Sequence, residues 1–88
     1  MIERTFAITY PHGLHARPAT MLVGKAAQFD ATIDLEYRQN RVNMKSIMGV
    51  LSLGVPENTT FKVIIHGMDE EAAMEAISLV ITLINQLA

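Results

Sequence analysis

The 88-residue chain has no cysteine and no tryptophan, and aromatic residues make up only 6% of it. Without cysteine the chain can form no disulfide and has no thiolate chemistry, which is compatible with a cytoplasmic location. No apolar run reaches the roughly 18 residues that a membrane-spanning helix requires. The net charge is −2, which argues against nucleic-acid binding, because a phosphate backbone is bound by clustered Lys and Arg. We therefore expect a cytoplasmic protein that neither inserts into a membrane nor binds nucleic acid directly.

Half of the residues are apolar, which suffices for one modest core, and we expect a single domain over residues 1–88. Alternation of apolar and polar residues is typical of strands with one wet face, and apolar residues at helical spacing are typical of amphipathic helices. The predicted fold is α+β, an open-faced sandwich of order βαββαβα in which three helices cover one face of a four-stranded antiparallel sheet. We expect strands at residues 2–10, 32–37, 41–43 and 60–66, and helices at residues 17–29, after Ser46 and after Asp69.

Three polar residues are expected to shape turns and helix starts. Asn40 tolerates positive φ, so residues 38–40 are predicted to form a tight turn. Ser46 and Asp69 stand where an N-cap belongs, so their side-chain oxygens would accept hydrogen bonds from the first turn of the next helix. The buried stripe of the last helix is predicted to comprise Ala73, Ala76, Ile77, Val80, Ile84 and Leu87.

The stretch Gly13–Leu14–His15–Ala16–Arg17–Pro18–Ala19–Thr20 lies between the first strand and the first helix. Pro18 suits the first turn of a helix, because a missing N–H costs nothing there. His15 is therefore expected just before the helix, where unbonded N–H groups and the positive end of the dipole attract phosphate. Its ring could accept a phosphoryl group, and Arg17 offers a fork of donors that matches phosphate oxygens. Taken alone, the pattern fits a loop histidine that merely caps the helix equally well.

The segment from Gly13 to Ala19 resembles the active-site signature of HPr, the histidine phosphocarrier family of the bacterial sugar phosphotransferase system. A second block, from Asn43 to Gly54, resembles the regulatory-serine region of the Gram-positive members of that family. The likeness covers nearly the whole chain, and the two motifs stand at the family's separation. The resemblance implies the same open-faced sandwich.

The resemblance also implies a phosphoryl carrier. His15 would accept a phosphoryl group from the phosphohistidine of enzyme I, charged by phosphoenolpyruvate, and donate it to enzyme II A domains, with Arg17 holding the phosphate. Ser46 would be phosphorylated by HPr kinase/phosphorylase, which slows this traffic and favours binding to the catabolite repressor protein. Such a carrier is consumed and regenerated in a relay, so the word enzyme fits it loosely. It would need no metal or cofactor of its own.

An apolar ring around His15 is expected to dock successive partners. A short helix cannot bury all of its apolar residues, and Met is favoured at adaptable binding surfaces. Gly24 and Ala27 lack the polar side chains that would strengthen contacts on this face. The ring is predicted to comprise Leu14, Thr20, Met21, Ile47, Met48 and Leu51, with Ile47 and Met48 partly exposed.

Three alternatives stay open. A regulatory paralogue resembling Crh would act through Ser46 alone, although that class lacks the active-site histidine. A nitrogen-related carrier would belong to the same family, although it usually lacks the pattern from Lys45 to Gly49. His12 and His15 form a His-x-x-His pair that would suit a metal- or anion-binding module, although no third ligand is evident and the pair spans a glycine-containing turn.

The last helix carries an unusual apolar surface. After Glu75 it has no charged side chain, and Leu79 and Leu83 fall outside its predicted buried stripe. A helix that is apolar on two sides is normally covered on two sides. We therefore expect self-association through this helix, with a merely apolar carboxyl end as the alternative.

Overall fold

The computed structural model describes residues 1–87, and Ala88, the last residue of the predicted domain, lies outside them. The elements follow the predicted order βαββαβα. Among the described residues, no helix is long and apolar enough to cross a bilayer. The strands are β1 (Ile2–Ile8), β2 (Thr32–Tyr37), β3 (Asn40–Asn43) and β4 (Thr59–His66), and the helices are α1 (Ala16–Ala26), α2 (Ile47–Ser52) and α3 (Glu70–Gln86).

The four strands form one antiparallel sheet in the order β1-β4-β2-β3. β4 lies between β1 and β2, so the last strand of the sequence completes the middle of the sheet. Phe6 lies opposite Phe61 in the β1–β4 pair, and Ile33 lies opposite Ile65 in the β2–β4 pair. β1 and β3 are therefore the two edge strands.

The core lies between the helices and the inner face of the sheet. Alternate residues of β2 and β4 point into it, namely Ile33 and Leu35 on β2 and Phe61, Val63 and Ile65 on β4. α3 packs against α1 and against both β1 and β4. Each fully buried aliphatic side chain contributes about 1.5–3 kcal/mol relative to an exposed one. These inward faces follow the alternation of apolar and polar residues along the two strands.

β1 and α1 are shorter than predicted. β1 ends at Ile8 rather than at residue 10, and α1 ends at Ala26 rather than at residue 29. Beyond Ala26 the N–H groups of Gln28 and Phe29 bond carbonyls three residues earlier. This tightening of the chain ends α1 without a glycine. The Phe29 ring still packs against the core, half-buried, from beyond the helix.

The turn between β2 and β3 uses other residues than the prediction named. Positive φ angles occur at Arg38 (50°) and Gln39 (68°), whereas Asn40 already belongs to β3. Two consecutive positive φ angles fit a two-residue hairpin, whose twist matches that of the flanking strands. The Arg38 guanidinium lies 5.3 Å from the ring centre of Tyr37, which offsets part of the backbone cost. The prediction of positive φ at Asn40 was wrong.

Asp69 is the N-cap residue of α3, but its carboxylate makes no capping bond to that helix. The two carboxylate oxygens instead accept the main-chain N–H groups of Asp30 and Ala31, each at 2.9 Å. The bond from Asp30 is the main reason that the pKa of Asp69 lies below its ordinary value. The predicted capping bond is therefore wrong. Asp69 ties the start of α3 to the segment that leads into β2.

The buried stripe of α3 differs from the predicted one at its margins. Ala76 and Leu87 are only half-buried, whereas Met74 and Ile81, which were not predicted, are buried. The stripe is wider than a single helical seam because α3 packs against both α1 and the sheet. The other predicted members are buried as expected: Ala73, Ile77, Val80 and Ile84.

Candidate functional site

His15 occupies the N-cap position of α1, with extended backbone angles (φ −86°, ψ −166°). Its carbonyl accepts the Ala19 N–H at 2.9 Å, which is the first hydrogen bond of the helix. Its side chain makes no capping bond, and the residue is exposed. The imidazole thus lies at the amino end of α1, exposed and without a capping bond, where a partner protein can reach it.

The first turn of α1 leaves two main-chain donors without an acceptor among the described residues, the N–H groups of Ala16 and Arg17. Pro18 has no N–H, and the Ala19 N–H is already bonded to His15. Unbonded donors at the positive end of a helix dipole are suited to hold an anion. This end of α1 is therefore suited to phosphate carried on His15.

The His15 loop is fixed to a second loop, between α2 and β4. The Leu14 N–H donates to the Val55 carbonyl at 2.9 Å. Gly13 has a φ of +66°, and a Cβ on it would lie 2.1 Å from the same carbonyl oxygen. Only glycine combines this left-handed backbone with so close an approach. Sequence patterns did not reveal this anchor, because the Val55 loop follows no regular period.

Leu14 does not belong to an exposed ring around His15. Its side chain is 3% exposed and forms part of the core cluster. The bond between its N–H and Val55 turns the side chain inward together with the loop. The expectation that Leu14 offers apolar surface to partners is corrected: it supports the loop from beneath.

Arg17 is exposed in the first turn of α1, and none of the ion pairs found in residues 1–87 involves it. A cation at this end of a helix is mildly unfavourable by itself, because it faces the positive end of the dipole. Thr20 stands one turn further on, and its hydroxyl donates to the Ala16 carbonyl at 2.8 Å. The guanidinium of Arg17 therefore remains available for a bound anion.

Ser46 is the N-cap of α2, as predicted, and its Oγ accepts the Gly49 N–H at 3.0 Å. The residue is exposed. Lys45, its neighbour, is not directed to it, because the Lys45 ammonium donates to the Phe29 carbonyl at 2.7 Å. The Lys45 ammonium is therefore not placed to neutralise a negative charge added at Ser46.

The remaining members of the predicted ring offer apolar surface to different degrees. Met48 is 77% and Ile47 is 42% exposed, so both present side chains to solvent on α2. Met21 and Leu51 are half-buried, and Thr20 is exposed. α2 packs against α1, so these side chains belong to two neighbouring helices. Gly24 is also exposed, and nothing in the described chain lies within 4 Å of where its Cβ would be.

The His12–His15 pair was considered above as a metal site, which would need further protein ligands close by. His12 is exposed with a φ of 75°, in the loop before His15. Within residues 1–87, no group of three or more His, Cys, Asp or Glu side chains comes together. The His12–His15 pair therefore has no third protein ligand in the part of the chain that the structure describes.

Comparisons with known proteins agree with this geometry. The family model "PTS HPr component phosphorylation site" matches residues 2–82. HPr-C-His from Thermoanaerobacter tengcongensis is 40% identical, with a TM-score of 0.94 over 100% of this chain and 99% of that one. Phosphocarrier protein HPr from Bacillus anthracis is 34% identical, with a TM-score of 0.84 over 90% of this chain and 94% of that one.

A third similar structure is Crh from Bacillus subtilis, a catabolite repression protein described as a domain-swapped dimer. It is 35% identical, with a TM-score of 0.75 over 94% of this chain and 95% of that one. The family match spans most of the chain and includes His15. The chain therefore belongs to the HPr family of the phosphotransferase system.

Proposed function

We propose that this chain carries a phosphoryl group on His15, receiving it from enzyme I and donating it to enzyme II A domains in the cytoplasm. The observation that supports this most directly is an exposed imidazole at the N-cap of α1, beside the unbonded N–H groups of Ala16 and Arg17. The family's name and the phosphocarrier relative support the same function. We propose that residues 1–88 form one HPr domain.

Transfer needs positioning and charge neutralisation more than covalent chemistry by other groups. A ring nitrogen of His15 would attack the phosphorus of the donor phosphohistidine while the donor's phosphorus–nitrogen bond breaks and its imidazole keeps the electron pair. The family resemblance implies that the nitrogen is Nδ1. The amino end of α1 and the Arg17 guanidinium would stabilise the negative charge of the phosphoryl oxygens. No metal or cofactor takes part in this step.

The test is incubation with enzyme I and labelled phosphoenolpyruvate. We expect one acid-labile label per chain that is absent in His15→Ala and retained in His12→Ala, an exposed histidine of the same loop. Acid-stable label, or label that survives His15→Ala, would overturn the proposal. Transfer onward to an enzyme II A domain then separates a carrier from a dead-end acceptor.

We further propose that phosphorylation of Ser46 by HPr kinase/phosphorylase slows this traffic and favours the catabolite repressor protein. Phosphate adds about −1.5 to −2 charge at pH 7, at an exposed N-cap whose neighbouring Lys45 is held by Phe29. The new charge would repel a partner that already carries phosphate. Met48 and Ile47, on the same helix, would be the apolar contacts for that partner.

Ser46→Asp and Ser46→Asn make a matched pair, because both side chains cap helices well and only one is charged. We expect Ser46→Asp to slow phosphorylation by enzyme I while Ser46→Asn leaves the rate near that of the parent chain. Equal rates for the two variants would show that charge at this position does not regulate docking.

A second candidate function is a Crh-like regulator that acts through Ser46 alone, favoured by the 35% identity to Crh. The presence of His15 opposes it. A nitrogen-related carrier would differ in its partners, and a metal- or anion-binding module would use His12 and His15. Onward transfer to a sugar-specific enzyme II A domain supports the carrier over the first two, and a zinc titration of the unlabelled chain that shows saturable binding, lost in His12→Ala and in His15→Ala, would support the third.

We also propose that the chain self-associates through α3. Leu79 is 63% and Leu83 is 54% exposed, both outside the buried stripe of that helix. The Crh relative forms a dimer, although by domain swapping. A single monomeric species by sedimentation at millimolar concentration would contradict this proposal without touching the carrier function.

A further inference from the structure

The exposed apolar side chains of α3 follow a regular repeat. Leu79 and Leu83 are 63% and 54% exposed, Ala72 is exposed and Ala76 is half-buried. In chain order these four residues are separated by four, three and four positions. That alternation is the spacing at which one helix contacts another along a single seam. α3 thus carries a second apolar stripe beside the one that faces the core, and we call these four residues the outer stripe.

The outer stripe changes in size along the helix, because its first two members are alanines and its last two are leucines. A second copy turned end to end would place Leu79 opposite the partner's Ala76 and Leu83 opposite the partner's Ala72. Large side chains would then meet small ones along the whole seam, which favours close packing between helices. A copy in the same direction would crowd leucines at one end and leave a gap between alanines at the other.

The charges of α3 favour the same reversed arrangement. Glu70, Glu71 and Glu75 lie in the first part of the helix, and no charged side chain follows Glu75. Two copies in the same direction would bring their Glu75 carboxylates close together, and like charges held close repel each other. In the reversed direction these carboxylates lie beside the uncharged carboxyl half of the partner helix. The positive amino end of each helix dipole would also lie near the negative carboxyl end of the other.

The composition of α3 disfavours other occupants of the outer stripe. A helix that lies on an anionic membrane carries Lys and Arg on its polar face, and α3 has neither residue. A basic protein segment could pair with Glu71 and Glu75 but would find no carboxylate beside Leu79 and Leu83. A reversed second copy matches both the change in side-chain size and the distribution of charge.

We propose that two copies of the chain associate through antiparallel pairing of α3, with the two-fold axis between the levels of Ala76 and Leu79. This inference rests on the proposed self-association and specifies its geometry. Ala72 and Leu83 are eleven residues apart, so the seam is about 16 Å long at 1.5 Å per residue. So short a contact covers much less than the roughly 800 Å² per partner of a standard interface. The dimer is therefore expected to be weak.

The absence of cysteine makes a direct test of this geometry possible, because an introduced thiol is the only one in its chain. Ala72→Cys and Leu83→Cys chains are mixed in equal amounts, oxidised mildly and weighed by mass spectrometry. Antiparallel pairing brings position 72 beside position 83 of the partner, so we expect disulfides that link one variant to the other. Each position would lie about 16 Å from its own copy, beyond the roughly 7 Å between Cα atoms that a disulfide can bridge. Met68→Cys, exposed and outside α3, gives the background from random collision.

Sedimentation equilibrium from micromolar to millimolar concentration measures the association itself. Leu79→Lys places a charge in the middle of the seam, so we expect it to raise the dissociation constant at least about tenfold. Met68→Lys is the matched control, because it adds the same charge in place of an exposed apolar side chain outside α3. It should associate like the parent chain. Circular dichroism of each variant confirms that the monomer remains folded.

The outcomes separate the geometry from the self-association on which it rests. A parent chain that stays monomeric at millimolar concentration would overturn both. Disulfides that link each variant to itself would keep self-association through α3 and refute the antiparallel arrangement. A parent dimer that Leu79→Lys does not weaken, with disulfides only at the background level, would place the contact on another surface and refute both proposals. Carrier activity is measured separately, because the outer stripe shares no residue with the His15 loop or with α2.

Discussion

The amino ends of α1 and α2 start from the same chemistry and use it in opposite ways. At α2 the Ser46 hydroxyl accepts the Gly49 N–H, so one free donor of the helix is satisfied within the protein. At α1 the N-cap is His15, whose side chain accepts nothing, and the N–H groups of Ala16 and Arg17 stay unbonded. A satisfied cap contributes stability. An unsatisfied one gives up that stability and keeps donors ready for an anion.

The loop before His15 should show the largest effect, because it fixes where the open cap lies. Gly13→Ala introduces a Cβ 2.1 Å from the Val55 carbonyl at a φ of +66°, and we expect it to lower the free energy of unfolding by about 3 kcal/mol. Gly54→Ala is the control, because its φ is +59° but nothing lies near its Cβ. It should cost only about 1 kcal/mol. Equal losses in urea unfolding would show that the loop is not anchored through Gly13.

Arg17 should matter for transfer and hardly at all for stability. We expect Arg17→Ala to slow phosphorylation of His15 by about 100-fold, as for loss of a donor that acts in the transition state. Arg17→Lys keeps the charge but loses the fork of donors, so its phosphorylation rate should lie between those of the parent chain and Arg17→Ala. Arg38→Ala, on the distant hairpin, is the control. An unchanged transfer rate in Arg17→Ala would remove the phosphate clamp from the account.

Exchanging the two kinds of cap should exchange stability for function. His15→Ser places a hydroxyl where it can accept the Arg17 N–H, so we expect about 0.5–1 kcal/mol more stability and no transfer. Ser46→Ala removes the bond to Gly49, so we expect about 1 kcal/mol less stability and normal transfer. Urea unfolding and labelling by enzyme I measure both. A His15→Ser variant less stable than the parent would show that the unbonded N–H groups at the start of α1 do not reduce the free energy of unfolding.

The third N-cap, Asp69, should reveal itself through pH. Its pKa is lowered chiefly by the hydrogen bond from Asp30, so its contribution to stability is present above the pKa of the unfolded chain and is lost as pH falls through the folded-state pKa. We expect Asp69→Asn to lose less stability on acidification than the parent chain. Glu57→Gln, in an exposed loop, is the control. Parallel stability curves for Asp69→Asn and the parent would contradict this role.

Local patterns in the sequence were sufficient where one residue type determines a structure by itself. Pro18, ahead of a helical pattern, placed the start of α1 next to His15, and Ser46 capped α2 as its position indicated. The order of elements and the inward faces of β2 and β4 also followed from simple periodicity. These features depend on neighbours in the sequence, which a single chain displays directly.

Features that depend on distant segments could not be obtained in this way. Leu14 is buried because its loop bonds to Val55, some forty residues later, and no local pattern marks that contact. Asp69 bonds Asp30 and Ala31 instead of its own helix because the two segments meet only in the folded chain. The edge position of β1 likewise follows from β4 pairing beside it.

The most direct test of the account is the amide NMR spectrum of the chain before and after enzyme I phosphorylates it. If the α1 cap receives the phosphoryl group, the Ala16 and Arg17 amide protons shift downfield and exchange more slowly with solvent, while the Gly49 amide, already bonded to Ser46, stays unchanged. Unchanged Ala16 and Arg17 amides in chains fully phosphorylated on His15 would show that the helix end does not hold the cargo.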